Sequence, residues 1–235
     1  MTEPTDPDKL QSADDVAPDA QNEDQGETPL MEAARWGYIE DVRQLITSGA
    51  DVNLKTYENW TALHAACVGG HGEIIDLLLS HGADPNVYSH HQGFDEDLGW
   101  NYAGTPLHVA AANGKVKVAE QLLAKGALVD ESLVLDWRTA LIYAAAYGHA
   151  EVIALLCKHG ANPNCREHSH ESGYFFDNTP LHYAARNGHV EAVKVLLSCR
   201  AEPRAVEAYS GHTALQMARA SKRQDVMKVL REQKK

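Results

Sequence analysis

One short sequence pattern recurs six times along the chain and limits what it can fold into. Each copy opens on Thr, then Pro or Ala, then Leu, and successive copies lie 33, 44, 34, 40 and 34 residues apart; they begin near Thr28, Thr61, Thr105, Thr139, Thr179 and Thr213. A period in this range is typical of stacked repeats, in which one unit cannot bury its apolar face alone. The sequence therefore predicts a solenoid whose units contact only their neighbours.

Each repeat unit reads as two short helices separated by a turn. The opening Thr, such as Thr28, can cap a helix, and Pro is favoured at the first helical position because its missing N–H is not needed there. An Ala-rich stretch follows, and a Gly such as Gly37 then suits a helix end with positive φ. A second apolar stretch places Val42, Leu45 and Ile46 at i, i+3 and i+4, hence on one helical face.

In these features, residues 28–235 resemble the ankyrin-repeat family. The resemblance implies an all-α repeat solenoid, an ankyrin array of six helix–turn–helix units joined by β-hairpin loops, the fingers. In that family the His of the Thr-Pro-Leu-His stretch hydrogen-bonds near the Thr and ties units together, a structural role that carries to His64, His108 and His182. The first, fourth and sixth units depart from the pattern, with Met31, Ile142 and Gln216 at this position.

Charge divides the chain into parts with different expected behaviour. The 235 residues hold 21 Lys and Arg against 33 Asp and Glu, a formal charge of −12. Residues 1–27 contain nine acids, one base and no aromatic residue, so this segment cannot bury enough surface to offset chain entropy. We expect a disordered acidic tail over 1–27 and a repeat domain over 28–235.

Composition also excludes several classes of protein. The acidic balance argues against a general DNA or RNA binder, because phosphate neutralisation needs clustered Lys and Arg. No stretch approaches the roughly 18–20 apolar residues of a spanning helix, and the opening residues MTEPTDPDKL lack the apolar region of a signal peptide. Four cysteines are too few for a disulfide scaffold. These observations favour a monomer in the cytoplasm or the nucleus, with no membrane or nucleic-acid partner.

The two long spacings place insertions in predicted fingers, at residues 87–104 and 165–178. Most of the aromatic residues lie in finger segments, and Trp36 and Tyr147 occupy variable positions that face the groove in the family. Large rings of this kind are enriched at interface hot spots. We expect a protein partner to contact Trp36, Tyr57, Trp60, Trp100, Tyr102, Trp137, Tyr147, Tyr174, Phe175 and Phe176, with Asp95, Glu96 and Asp97 selecting its basic or polar edge. Packing of the rings against neighbouring fingers alone is the alternative, and Tyr38, Tyr143 and Tyr183 are expected to pack inside.

The function that these patterns favour is a non-catalytic protein–protein interaction module, an adaptor or scaffold. No phosphate-binding, metalloprotease or nucleophile-elbow motif is present, so we predict no catalytic residue and no cofactor. Two alternatives stay open: an inhibitor that masks its partner, and a metal-binding protein. The second would use imidazoles and carboxylates of the insertions, although their spacing matches no structural zinc pattern; they include His90, His91, His168, His170 and Glu171.

Overall fold

The computed structural model describes residues 17–90, 104–132, 137–167 and 177–232, which contain twelve α-helices in consecutive pairs. The first four are α1 (Pro29–Trp36), α2 (Ile39–Thr47), α3 (Ala62–Gly69) and α4 (Gly72–Ser80), and they lie in a first compact unit, formed by the described residues up to Asp84. A second compact unit, formed by the described residues from Pro85 onward, contains α5 (Pro106–Ala112), α6 (Val116–Ala124), α7 (Ala140–Tyr147), α8 (Ala150–Lys158), α9 (Pro180–Asn187), α10 (Val190–Ser198), α11 (Ala214–Ala220) and α12 (Gln224–Glu232).

Within each unit the helices form two rows. The first helices of successive pairs pack side by side, α1 on α3 in one unit and α5, α7, α9 and α11 in turn in the other. The second helices form their own row, and each first helix packs on the second helix of its pair. In the described residues, pairing of extended backbone is limited to isolated bridges at Ser89–Gly104, Ser132–Thr139 and Val206–Thr213. The fold is therefore the all-α repeat solenoid that the sequence predicts.

The recurring Thr and Gly set the ends of the first helices. Thr28 has extended backbone, and its side chain accepts a hydrogen bond from the Met31 N–H at 3.2 Å. At the other end of α1, Gly37 has φ of 83° and donates its N–H to the Ala33 carbonyl. The left-handed conformation favours Gly because it has no Cβ. These local signals explain why the helices begin and end where the sequence pattern predicts.

The hydrophobic core lies between the two rows of helices. The Leu of the opening motif is fully buried in several repeats, as at Leu63, Leu107 and Leu141, and the second helices contribute residues such as Ile75 and Leu78. Alanines of the first helices are also buried, so neighbouring helices approach closely. Burying one Leu or Ile side chain contributes about 1.5–3 kcal/mol. Stability thus accumulates from contacts between adjacent pairs.

Two histidines of the opening motif, His108 and His182, connect their first helices to the finger that follows. In α5, Nδ1 of His108 accepts the Thr105 N–H at 3.2 Å and lies 2.9 Å from the Thr105 hydroxyl. Its Nε2 lies 3.2 Å from the Arg138 carbonyl, in the next finger. The same arrangement joins His182 to Thr179, and Nε2 of His182 lies within hydrogen-bond distance of two carbonyls beyond α10. This is the tie between units that the family resemblance implies.

Asn side chains connect the loop that follows one second helix to the loop that follows the next. Asn53 donates to the Gly82 carbonyl at 2.9 Å and accepts the Asp84 N–H at 2.8 Å. Asn164 makes the equivalent pair of bonds with the loop after α10, and Asp130 accepts the Asn162 N–H. One side chain therefore satisfies a donor and an acceptor of the next loop, which holds the loops at a fixed spacing.

Residues 17–27 differ from the disordered tail expected from composition. Asp19 accepts the Asp51 N–H at 2.9 Å, which repeats the Asn53–Asp84 bond one unit earlier. The Gln21 side chain donates to the Lys55 carbonyl at 2.9 Å. Composition misled because hydrogen bonds to the next finger, rather than buried apolar area, hold this segment. Residues 1–16 lie outside the described residues, and their disorder stays a prediction.

The same segment closes a small hairpin that has a counterpart at the far end of the chain. The Asn22 N–H donates to the Glu27 carbonyl and the Gly26 N–H donates to the Asn22 carbonyl. Glu207, His212 and Gly211 make the same two bonds before α11. Residues 17–27 are thus the loop and finger that precede α1, built like the later ones.

Candidate functional site

Four of the aromatic residues predicted to bind a partner are exposed. Trp36 and Tyr147, the last residues of α1 and α7, are 56% and 40% exposed. Tyr57 and Trp137, both in fingers, are 71% and 54% exposed. The rings of Trp36 and Tyr147 occupy the same position in two repeats, just before the Gly that ends each helix. These four side chains therefore present aromatic surface on the outside of the protein.

Trp60 is buried, unlike these four residues, and the prediction that it contacts a partner is wrong. It is only 6% exposed, and its ring stacks on His64 with 4.7 Å between centroids. The Trp60 carbonyl also accepts the Thr56 N–H, which closes the base of the finger. Trp60 packs inward because it immediately precedes Thr61, where the chain turns into α3. Tyr57, three residues earlier, lies at the exposed part of the same finger.

The other predicted contact residues lie outside the described residues. They belong to the two long insertions and stay a prediction: Asp95, Glu96, Asp97, Trp100, Tyr102, Tyr174, Phe175 and Phe176. Of the tyrosines expected to pack inside, Tyr143 is buried and Tyr183 is half-buried, whereas Tyr38 is exposed. Tyr38 immediately precedes α2.

A cavity of about 280 Å³ lies between α7 and α9, on the exposed side of the first helices. Its walls carry two guanidinium groups, from Arg138 and Arg186, and three tyrosine rings, from Tyr143, Tyr147 and Tyr183. Ile142, Ala146 and Asn187 complete the lining. The cavity thus combines aromatic surface with positive charge, and Tyr147 is the one residue in it that the sequence had assigned to a partner.

A buried carboxylate fixes one wall of this cavity. The Glu167 side chain is 1% exposed and accepts hydrogen bonds from Arg138 Nε at 2.9 Å, Asn178 Nδ2 at 2.7 Å and the Tyr183 hydroxyl at 2.5 Å. The guanidinium of Arg138 also lies over the Tyr183 ring, 5.7 Å from its centroid. Charge-assisted bonds of this kind are strong and directional. They hold Arg138 and Tyr183 in one arrangement before any partner arrives.

Two of the tyrosines of the cavity, Tyr147 and Tyr183, remain protonated. Burial raises the pKa of Tyr183, and the neighbouring carboxylate of Glu167 raises it further, against the opposing effect of Arg138. Burial also raises the pKa of Tyr147, and Arg138 partly offsets this. Both rings are therefore neutral hydroxyl donors and acceptors at physiological pH.

A second cavity, of about 200 Å³, lies next to the first along the row of first helices. Arg186 lines both cavities, and Glu207, Tyr209 and Met217 line the second. Burial raises the pKa of Glu207, but hydrogen bonds from Ser210 and from the Tyr209 N–H outweigh this and leave the pKa below its usual value. Glu207 is therefore ionised and serves to hold its own turn.

Sequence reasoning missed Arg138, Glu167 and Arg186. Arg138 precedes a Thr-Ala-Leu motif and Glu167 lies in the base of a finger, so each has an ordinary local context. Their pairing joins residues 29 apart in sequence, and only stacking of adjacent units brings them together.

Neither a metal centre nor a membrane span emerges from the part of the chain that is described. Across residues 17–90, 104–132, 137–167 and 177–232, no three His, Cys, Asp or Glu side chains gather closely enough to hold a metal ion. No helix in these ranges has the length and apolar character needed to cross a membrane. Most of the insertion residues of the metal hypothesis lie outside these ranges.

Comparison with known proteins agrees with this architecture. The family model described as ankyrin repeats (3 copies) matches the chain at residues 8–89, 90–167 and 165–235. A transient receptor potential cation channel subfamily A member 1 homolog of Caenorhabditis elegans is 32% identical over 154 residues, 65% of this chain and 12% of that protein. Ankyrin repeat and SOCS box protein 3 of Bos taurus is 34% identical over 148 residues, 62% of this chain and 26% of that protein.

Shorter stretches match more closely. Ankyrin repeat domain-containing protein 40 of Homo sapiens is 46% identical over 59 residues, 25% of this chain and 16% of that protein. The chain thus spans about a quarter or less of the length of each of these three relatives.

Proposed function

The chain belongs to the ankyrin-repeat family, and we propose that it is a non-catalytic protein–protein interaction module, an adaptor or scaffold. It holds a protein partner against the exposed side of its first helices and against its fingers. It works as a monomer in the cytoplasm or nucleus, without a cofactor, and binds neither nucleic acid nor a membrane. The excess of acidic residues supports the absence of a nucleic-acid partner, because phosphate neutralisation needs clustered Lys and Arg.

The observation that carries the proposal is the placement of large rings outside a complete core. Leu, Ile, Val and Ala fill the space between the helix rows, so Trp36 and Tyr147 are not needed for packing. Both lie at the last turn of a first helix and stay exposed. Trp and Tyr bury large area with little loss of side-chain entropy, and this makes them effective contact residues.

The relatives support the same interpretation at a coarser level. Their names describe a cation channel and a SOCS box protein, which have different overall roles and share the repeat array with this chain. Rigid stacked helices limit the entropy cost of binding, so one scaffold serves many partners by changing its exposed residues. The exposed residues on the first helices and fingers of this chain therefore decide which partner it binds.

Quantitative affinity capture from cell extract tests the proposal. The tagged wild-type chain is compared with Trp36→Ala/Tyr147→Ala and with a matched control, Leu128→Ala/Val206→Ala, which removes two other exposed apolar side chains. We expect the same proteins to be retained by the wild type and the control and lost from the aromatic variant. Circular dichroism checks that all three chains fold alike. Identical capture by the two variants, or no specific capture by the wild type, refutes the proposal.

A further inference from the structure

The cavity between α7 and α9 is an open recess in which a peptide side chain can lie. Small-molecule and cofactor pockets in proteins run from about 300 to 1,000 Å³ and enclose most of their ligand. This cavity, of about 280 Å³, is at the lower end of that range and opens between the exposed sides of two helices. Such a recess fits one or two side chains of a peptide segment that lies across the first helices.

The charge of the cavity selects the kind of side chain. Arg138 and Arg186 both line the cavity, and the Glu167 carboxylate is buried beneath Arg138 and Tyr183. Glu207 lines the neighbouring cavity with Arg186, and its carboxylate accepts hydrogen bonds from its own turn. Arg186 is exposed, and no carboxylate in the described part of the chain forms an ion pair with its side chain. In the described part of the chain, Arg186 therefore presents a positive charge at the opening, and a carboxylate of a partner can pair with it.

The tyrosines define what should flank that carboxylate. Tyr143 and Tyr147 are on α7 and Tyr183 is on α9, so aromatic surface lies on both sides of the cavity. Aromatic faces pack against methylene groups and against guanidinium planes alike. The hydrogen bonds that Arg138 and Tyr183 donate to Glu167 fix both side chains in advance, which lowers the entropy cost of receiving a ligand. A residue with an apolar stem and a single negative charge fits these walls.

We propose, building on the proposed function, that this cavity is a specificity site that takes the Asp or Glu side chain of an extended partner segment, next to an apolar residue. The carboxylate accepts hydrogen bonds from Arg186 and the apolar neighbour packs on Tyr147. Guanidinium and carboxylate groups match in geometry, so this contact reads both charge and shape. The cavity thus selects an acidic partner residue, whereas the acidic residues of the first insertion are expected to select a basic or polar one.

Selection of displayed random 12-residue peptides on the full chain supplies the probe. The peptide that binds most tightly is synthesised with a fluorescent label, together with a variant in which each acidic residue is replaced by its amide. Affinities are measured by fluorescence anisotropy for the wild type, for Arg186→Gln and for Arg186→Lys. The matched control is Arg231→Gln, which removes an exposed Arg that lines neither cavity. Circular dichroism establishes that each variant is folded.

The expected result is a selected sequence with an acidic residue beside an apolar one. We expect Arg186→Gln to weaken binding about tenfold or more, since a hydrogen bond to a charged group is lost. Arg186→Lys should retain part of the affinity and Arg231→Gln nearly all of it. The amide peptide should bind the wild type as weakly as the acidic peptide binds Arg186→Gln, and combining both changes should add little further loss.

Several outcomes overturn the proposal. These are failure of the selection to yield a binder, selected peptides without acidic residues, and equal effects of Arg186→Gln and Arg231→Gln. A phosphoserine peptide that binds more than tenfold tighter than its Glu counterpart would assign the cavity to phosphate instead. Tighter binding after removal of residues 1–16 would assign it to the acidic segment of this chain. If Arg186→Gln has no effect while the capture experiment still depends on Trp36 and Tyr147, only the present inference fails.

Discussion

Acid should destabilise this protein at a pH where carboxylates are still ionised, because His108 is held in its neutral form. The His108 ring is 2% exposed, and its Nδ1 accepts the Thr105 N–H. Nε2 therefore carries the hydrogen and faces the Arg138 carbonyl at 3.2 Å. A second proton would have to sit on Nδ1, where it meets the Thr105 N–H. Burial lowers the pKa of His108 to about 4, although the carbonyls of Arg138 and Glu131 act in the opposite direction.

The size of the effect follows from the two pKa values. The unfolded chain takes up a proton on this ring as the pH falls through 6.5, whereas the folded chain does so only near a pKa of about 4. The folded state therefore has its full stability, as far as His108 is concerned, above pH 6.5. It loses stability as the pH falls from 6.5 to 4. Each unit of pKa difference corresponds to about 1.4 kcal/mol, which gives a loss of about 3 kcal/mol at pH 4. Burial also lowers the pKa of His182, which adds a loss of the same sign.

The sixth repeat supplies a matched variant for the assay. There Gln216 replaces the His, and the Thr213 N–H donates to its Oε1 at 2.7 Å. His108→Gln should therefore keep the helix cap without a titrating group, and it should cost about 1 kcal/mol at pH 7.5 through loss of the Arg138 contact. Urea unfolding followed by circular dichroism at pH 7.5, 6.5, 5.5 and 4.5 measures both chains. The difference in stability between them should shrink and then reverse as the pH falls.

Acidic groups titrate in both chains, so their contribution cancels in the comparison. If the wild type and His108→Gln lose the same free energy of unfolding between pH 7.5 and 4.5, the buried neutral ring is not the cause. The reasoning would then be refuted.

Three further outcomes are expected. Removing residues 1–27 should lower the free energy of unfolding by about 1–3 kcal/mol relative to removing residues 1–16, because hydrogen bonds to the first finger are lost; equal urea midpoints would contradict this. Glu167→Gln should cost about 2–3 kcal/mol in urea unfolding because a buried ion pair is broken, whereas Glu191→Gln, at an exposed pair, should cost roughly 0.5 kcal/mol or less. Burial raises the pKa of the Cys165 thiol to about 11, so iodoacetamide at pH 7.5 should alkylate it much more slowly in the folded chain than in urea. Mass spectrometry measures both rates, and similar values would show that the thiol is accessible.

The candidate site shows how far local sequence patterns extend. The exposure of Trp36 and Tyr147 could be predicted from their place in the repeat, after the Ala pair and before the Gly. The pattern failed at Trp60, since Tyr57 is exposed and Trp60 is buried in the same finger, a difference that composition does not reveal. Arg138 and Glu167 could not be paired in advance, because their contact depends on how one unit stacks on the next.

The sequence by itself determined the helices, their order and the solenoid class, because caps, turns and apolar periodicity are properties of neighbouring residues. Only the tertiary structure decided which exposed groups share a surface. It placed Arg186 beside three tyrosines, buried Glu167 under Arg138, and gave residues 17–27 a place against the first finger. These contacts join residues that are distant in sequence or polar in composition. They form because stacked repeats bring side chains together at a spacing that no local pattern records.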